Sequence, residues 1–90
     1  MTTLRIPTPL RPYAEGQSEV NVQGATVGKA LNDLVAQFPD LKKHLFAETD
    51  ELRPFVNLFL GDEDVRHLQG MDTPLEEGDK LMIIPSIAGG

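Results

Sequence analysis

Apolar residues recur along the 90-residue chain with two different periods, and each change of period marks an element boundary. From Val27 to Phe38 the positions Val27, Ala30, Leu31, Leu34, Val35 and Phe38 fall three and four residues apart, which places them on one face of a helix. Lys29, Asn32, Asp33 and Gln37 take the other side, the pattern of a helix packed on one face of a sheet. Thr26 is placed to cap this helix and Pro39 to stop it. Leu41, Leu45 and Phe46 predict one more helical turn before a polar loop from Glu48 to Glu51.

Elsewhere the period is two. Glu19-Val20-Asn21-Val22 alternates polar and apolar, and Leu4 to Ile6 reads as a short strand closed by Pro7, Pro9 and Pro12, which cannot donate ladder hydrogen bonds. Glu15-Gly16 supplies turn material between these two strands, predicting a hairpin with a long, proline-stiffened loop. Phe55 to Leu60 predicts a strand with Val56, Leu58 and Leu60 on one face and Phe55, Asn57 and Phe59 on the other. Gly61-Asp62 turns the chain, and Val65 with Arg66 predicts a short edge strand. Thr73-Pro74-Leu75 with Gly78-Asp79 makes the bend that launches the last strand, Lys80 to Ile84. Hairpin, helix, strand, short strand, strand is an α+β arrangement in which one helix covers one sheet face. No internal repeat, linker or low-complexity segment interrupts it.

Composition narrows the function classes. A chain of this length makes one domain with one modest core, burying only about 60–68% of its unfolded surface, so a deep self-built catalytic cleft is not expected. The formal charge of −6 leaves no surplus of Lys and Arg to displace counterions from phosphates, which disfavours nucleic acid and anionic membranes and favours a partner with a basic docking face. Cysteine is absent, which excludes disulfides, thiolate metal sites and thiol nucleophiles. The first seven residues lack the apolar stretch of a signal peptide, and no run approaches the ~20 apolar residues of a membrane span, so the cytoplasm is the expected location.

The chain ends Pro85-Ser86-Ile87-Ala88-Gly89-Gly90, directly after the apolar run Leu81-Met82-Ile83-Ile84. A Gly-Gly end puts no side chain beside the carboxyl carbon, so a narrow channel can admit the backbone and present that carbon to a nucleotide or a sulfur donor. A frayed end without a role is the usual fate of termini. The position after a strand, in a chain with little other reactive equipment, raises the functional reading.

With that element order and that end, the chain resembles the β-grasp, ubiquitin-like sulfur carriers of the MoaD/ThiS family, and within it the CysO-type carriers of cysteine biosynthesis. Three stretches carry the resemblance: Ile6-Pro7-Thr8-Pro9-Leu10-Arg11-Pro12, the run from Phe55-Val56-Asn57 through Asp62-Glu63-Asp64-Val65-Arg66, and Ile84-Pro85-Ser86-Ile87-Ala88-Gly89-Gly90. The segment between Phe38 and Arg53 is longer than in the molybdopterin and thiamin carriers, and Ser86 stands where many relatives have a second proline.

The resemblance implies a β-grasp domain over residues 1–85, with a mixed sheet of four to five strands, one main helix on one face, and a flexible tail over residues 86–90. It implies that the last strand is central, between the first strand and the one at 55–60. It implies further that a ubiquitin-activating-like adenylyltransferase and sulfurtransferase, using ATP and magnesium, adenylates the carboxylate of Gly90 and converts it to a thiocarboxylate, while Gly89, Ala88 and Ile87 thread the partner's channel. The CysO-type likeness adds a pyridoxal-phosphate cysteine synthase that receives the sulfur and a metalloprotease that releases the product. The chain is then a carrier and co-substrate rather than an enzyme, and binds no cofactor or metal itself. Supply of sulfur to molybdopterin, thiamin or tRNA thiolation, and conjugation to lysines as a protein modifier, use the same activated terminus and remain as alternatives.

A carboxylate is ionised near neutrality and is a poor electrophile, so activation must come first. Without cysteine, the terminus is the chain's evident sulfur-bearing position, and no internal thiol competes for the activated acyl group. The remaining candidates are weaker. His44 and His67 have no ligand set of recognisable spacing and read as surface or partly packed histidines. Asp62-Glu63-Asp64 and Glu76-Glu77-Asp79 lack calcium-loop spacing and read as solvated acidic turns. Gly24 to Gly28 fails both glycine fingerprints. If the helix covers the Val56/Leu58/Leu60 face, then Phe59, Met82 and Ile84 project from the opposite one as an apolar docking patch for the activating enzyme. The competing reading has loop residues, Tyr13 or Phe46 among them, covering that patch.

Overall fold

The computed structural model describes residues 2–46, 52, 53 and 56–85. Its first strand, β1 (Thr2–Arg5), pairs antiparallel with β2 (Glu19–Val22), Thr2 opposite Val22 and Arg5 opposite Glu19. The hairpin is therefore as expected, but shifted: Ile6 lies beyond the strand, although its N–H still donates to the Ser18 carbonyl at 2.8 Å and its side chain is fully buried. The proline series does not form an irregular loop. Proline's fixed φ suits a tight helical turn, and Thr8–Ala14 winds into a 3₁₀ helix that buries Ala14. Glu15 and Gly16 then turn the chain with φ of 55° and 79°.

Helix α1 (Val27–Gln37) starts where its cap requires: Thr26 is extended, and its hydroxyl accepts from the Lys29 N–H at 3.3 Å. It buries Val27, Ala30, Leu31 and Leu34, the face anticipated from the three- and four-residue spacing. Phe38 leaves helical geometry ahead of Pro39, as a residue before proline is pressed to do. A 3₁₀ turn at Pro39–Leu41 runs into the short helix α2 (Lys42–Leu45), the additional turn expected there. An isolated bridge between Phe46 and Leu52, with Arg53 N–H donating to the Leu45 carbonyl at 2.9 Å, closes the segment between them. The polar loop from Glu48 to Glu51 and the predicted strand residue Phe55 lie outside the described residues.

Strand β3 (Val56–Leu60) turns through Gly61 into β4 (Glu63–Asp64). This corrects the edge strand predicted at Val65 and Arg66. Val65 is buried and opens a 3₁₀ turn, because the Asp64 side chain accepts from the Arg66 N–H and caps that turn. The last strand, β5 (Lys80–Pro85), runs parallel to β1 and antiparallel to β3. Among the described residues the sheet order is β2-β1-β5-β3-β4, the mixed arrangement with a central last strand that the resemblance implied.

The core lies between α1 and one sheet face. Leu4, Val20, Val22, Val56, Leu58, Leu81 and Ile83 meet the apolar face of α1, with Leu41, Leu45 and Phe46 closing one side. The chain before β5 is stitched to the start of α1 by Val27 N–H to the Thr73 carbonyl at 3.0 Å and Leu75 N–H to the Ala25 carbonyl at 2.9 Å. Gly24 is needed for the approach of this loop to the helix: a Cβ there would lie 2.5 Å from the Ala30 nitrogen and 2.7 Å from the Lys29 carbonyl carbon, both backbone atoms that cannot swing aside.

Gly24→Ala is accordingly expected to lower the unfolding free energy by about 1–3 kcal/mol through overpacking. A denaturant titration checks this, and an unchanged midpoint would contradict the close approach.

Candidate functional site: the open sheet face and the end of β5

Alternation along β5 divides its side chains between two environments. Leu81 and Ile83 point under the helix and are 1% and 2% exposed, whereas Met82 and Ile84 point away and are 37% and 38% exposed. The ladder fixes their neighbours: Phe59 lies opposite Met82 and Asn57 opposite Ile84, so both β3 residues share that open face. Phe59 is half-buried. On the other flank Arg5 stands beside Met82 and Thr3 beside Lys80. The structure thus brings Phe59, Met82 and Ile84 together as one apolar group on the face away from α1. The two loop residues considered as covers are engaged elsewhere. Tyr13 stacks on His44, ring centroids 4.0 Å apart, and Phe46 is in the core.

Polar groups surround the apolar group. A shallow depression of about 190 Å³ beside Met82 is lined by Thr3, Arg5, Glu19, Asp62 and Lys80. On the opposite side the Arg66 guanidinium lies against the sheet. Its Nε donates to Asp64 Oδ1 at 3.3 Å, and its Nη2 donates to Asp64 Oδ2 at 3.0 Å and to the Asn57 side-chain oxygen. The hydrogen bonds and charge of Arg66 hold the Asp64 carboxyl below the usual carboxylate range, and Asp64 in turn raises Arg66 further above its ordinary value. Sequence reasoning missed this cluster. It had Asp64 as one of three solvated acids and Arg66 as a strand residue, although an Asp two residues before a donor is a recognisable local capping signal.

The charges of the face are mixed. Arg5, Lys80 and Arg66 sit on it with Glu19 and Asp64, and Asp62 lines the depression beside Met82, while Asp72, Glu76 and Glu77 are exposed outside the strands. The surface beside β5 therefore carries cations and acids in similar number, in contrast to the acidic surplus of the chain as a whole. The two histidines occupy unremarkable places: His44 is half-buried against Tyr13 with its Nε2 buried and unbonded, and His67 is exposed. Among the described residues no group of three or more His, Cys, Asp or Glu could hold a metal ion, and no helix is long and apolar enough to cross a membrane. Gly90, Gly89, Ala88 and Ile87 lie outside the described residues; Pro85, the last described, pairs with Val56.

A central last strand, a helix on one face and an apolar group on the other constitute the frame of a ubiquitin-like carrier, and the ThiS family profile matches residues 4–90. The chain belongs to the ThiS family of ubiquitin-like sulfur carriers. The sulfur carrier protein CysO of Mycobacterium tuberculosis is 39% identical over 90 residues, covering 98% of this chain and 97% of its own. Small archaeal modifier protein 3 of Haloferax volcanii is 41% identical over 66 residues, 73% of this chain and 71% of its own. Among solved structures, Mycobacterium tuberculosis CysO superposes with a TM-score of 0.88 at 36% identity, covering 97% of this chain and all of that one. A chain of the Amycolatopsis orientalis BexX/CysO complex superposes with a TM-score of 0.90 at 37% identity over the full length of both. These likenesses establish the β-grasp fold for this ThiS-family chain.

The Asp64 shift sets a pH dependence. A carboxyl held low in the folded chain contributes stability that is present above its unfolded value and is lost as the pH falls through the lower folded value. The grip on Arg66 is therefore expected to persist at neutral pH and to loosen below the ordinary carboxylate range. An NMR titration following the Arg66 Nε–H checks this: its shift should move with a midpoint below the ordinary carboxylate range, and should stay fixed in Asp64→Asn.

Proposed function

We propose that this chain carries sulfur as a thiocarboxylate on Gly90, for use in biosynthesis. Membership in the ThiS family and likeness to CysO over nearly the whole chain carry this reading. The first step joins the Gly90 carboxylate to the α-phosphate of ATP, giving the acyl adenylate and pyrophosphate. In the second, a sulfur nucleophile displaces AMP; with hydrosulfide the products are the thiocarboxylate, AMP and a proton. A ubiquitin-activating-like partner supplies ATP, magnesium and the catalytic groups, and this chain is the co-substrate. Its own contributions are positional. The domain docks by the Phe59, Met82 and Ile84 face, while residues 86–90 span roughly 17 Å at full extension, enough to enter a channel that the folded domain cannot. Residues 1–85 act as the handle and 86–90 as the reactive arm, and Gly89 and Gly90 suit a narrow passage because neither carries a Cβ. These reactions belong in the cytoplasm, where ATP is available.

For the pathway, likeness to CysO favours cysteine: a synthase joins the β-carbon of an activated serine to the thiocarboxylate sulfur as the serine's activating group leaves, an acyl shift from sulfur to nitrogen leaves cysteine amide-linked to Gly90, and a metalloprotease hydrolyses that amide, releasing cysteine and restoring the Gly90 carboxylate. The small archaeal modifier relative supports a second reading, in which the same adenylate is taken by a lysine amine.

Incubation with the cognate activating enzyme, ATP and sulfide is expected to raise the intact mass by the exchange of one oxygen for one sulfur at Gly90. Deleting Gly90 should abolish ATP–pyrophosphate exchange without altering the melting curve. Sulfur found elsewhere, or exchange retained by the deletion, would remove the carrier reading. A cysteinyl adduct formed with candidate synthases separates the cysteine pathway from lysine conjugation, which gives high-mass products instead.

Phe59→Ala combined with Met82→Ala should raise KM for this chain several-fold at nearly unchanged kcat, the signature of lost uniform binding. The double variant should keep its fold, since neither side chain belongs to the core under α1. Unchanged kinetics would take the patch out of the interface.

A further inference from the structure

Arg66 is an exposed arginine that the fold nevertheless holds in one place. Its side chain is 61% exposed, while that of Asp64, which grips it, is only 12% exposed. Two strands fix the grip. Asp64 lies on β4 opposite Phe59, and Asn57 lies on β3 opposite Ile84, so the guanidinium spans from the Phe59 level to the Ile84 level along the margin of the apolar group. Asp64 also caps the turn that carries Arg66, accepting from its backbone N–H at 2.9 Å, which ties backbone and side chain to the same carboxylate. A free surface arginine would lose much side-chain entropy on binding; this one has largely lost it already.

The bonds within the protein use Nε and Nη2, and a guanidinium carries two further donors on Nη1. Among the described residues Nη1 makes no hydrogen bond. A planar cation at the rim of an apolar contact, with donors remaining, is suited to a carboxylate. Of the acids on this face Asp64 is already satisfied by Arg66, and Glu19 and Asp62 stand across the apolar group beside Arg5 and Lys80, which leaves Nη1 to a carboxylate from outside the chain. A phosphate of the adenylate is a poorer fit: with the arm extended, the Gly90 acyl group is roughly 17 Å beyond the last strand, out of reach of a side chain anchored beside Ile84.

We infer that Arg66 is a specificity-determining residue of the sheet face, held by Asp64 and Asn57 to receive a carboxylate from the activating enzyme. This rests on the carrier reading for the partner's identity. The apolar group supplies contact area that many proteins could match, and the fixed cation rejects partners that lack a carboxylate at that point.

The test measures the affinity of the full chain for the source organism's ubiquitin-activating-like adenylyltransferase by calorimetry without ATP, together with pyrophosphate exchange and thermal melting. Arg66→Gln should weaken Kd and raise KM by about five-fold or more, leave kcat within two-fold, and flatten the dependence of Kd on salt. Arg66→Lys keeps the charge without the fork and should fall between. Wild-type affinity in Arg66→Gln, or a loss fully accounted for by lowered melting, would make the cluster a structural cap only and overturn the inference. Were Arg66→Gln to unfold, Arg66→Lys decides: weaker binding at an unchanged melting temperature supports recognition, and wild-type binding overturns it. A wild-type chain that binds but is not adenylated removes the carrier reading while the Arg66 comparison is still read from Kd. A chain that does not bind at all removes both.

Discussion

The molecule depends on β5 pairing on both edges. By lying parallel to β1 and antiparallel to β3, this one strand joins the N-terminal hairpin to the C-terminal half and completes a sheet wide enough for α1 to cover. Flanked by β3 along most of its length and by β1 over Lys80 to Met82, the strand is left with two faces that can differ. They differ sharply. Leu81 and Ile83 belong to the core, and Met82 and Ile84 to the open face, so a shift of one residue in register would exchange core and surface together. The same strand that closes the fold also delivers the chain to residues 86–90. Stability and the exposure of Met82 and Ile84 are thus consequences of a single register.

How far the sequence could be read follows from how local each determinant is. The period of Val27 to Phe38, the Thr26 cap and the alternation of Glu19 to Val22 are local, and the structure has those elements at those residues. The face assignment of Met82 and Ile84 also needed only alternation and one covering helix. Errors fell where a side chain decided the backbone. The proline series was expected to stiffen a loop, yet proline's φ together with the burial of Ala14 favours a 3₁₀ helix. Val65 and Arg66 have the composition of a short strand, but the Asp64 carboxylate captures the Arg66 N–H and turns the chain first. Strand order, by contrast, is non-local. Periodicity could not order the strands, and the central position of β5 came only with the family resemblance.

Net charge is a coarse guide to any one face, for a physical reason. Fourteen acidic residues against eight Lys and Arg describe the long-range field, whereas an interface is governed by groups within a Debye length of about 8–10 Å. The exposed acids Asp72, Glu76 and Glu77 lie outside the strands, whereas beside Met82 the cations Arg5, Lys80 and Arg66 are interspersed with Glu19, Asp62 and Asp64. An acidic protein can in this way present a face of mixed charge to one partner while its overall field disfavours nucleic acid and anionic surfaces.

The separation between docking face and reactive end bears on how such a carrier is used in turn by several enzymes. A partner that gripped the Gly-Gly end tightly would resist handing it on, because binding energy spent at the acyl carbon is lost again at each transfer. Under the proposed function, contacts at the Phe59, Met82 and Ile84 face lie several residues from the bond being broken, so they would be the same before and after the chemistry and would contribute to recognition without favouring either chemical state. Each enzyme in the sequence can then reuse that face and bring its own reactive groups to Gly90. The absence of cysteine suits the same logic, since a sulfur or acyl group parked at the terminus meets no thiol of its own chain along the way.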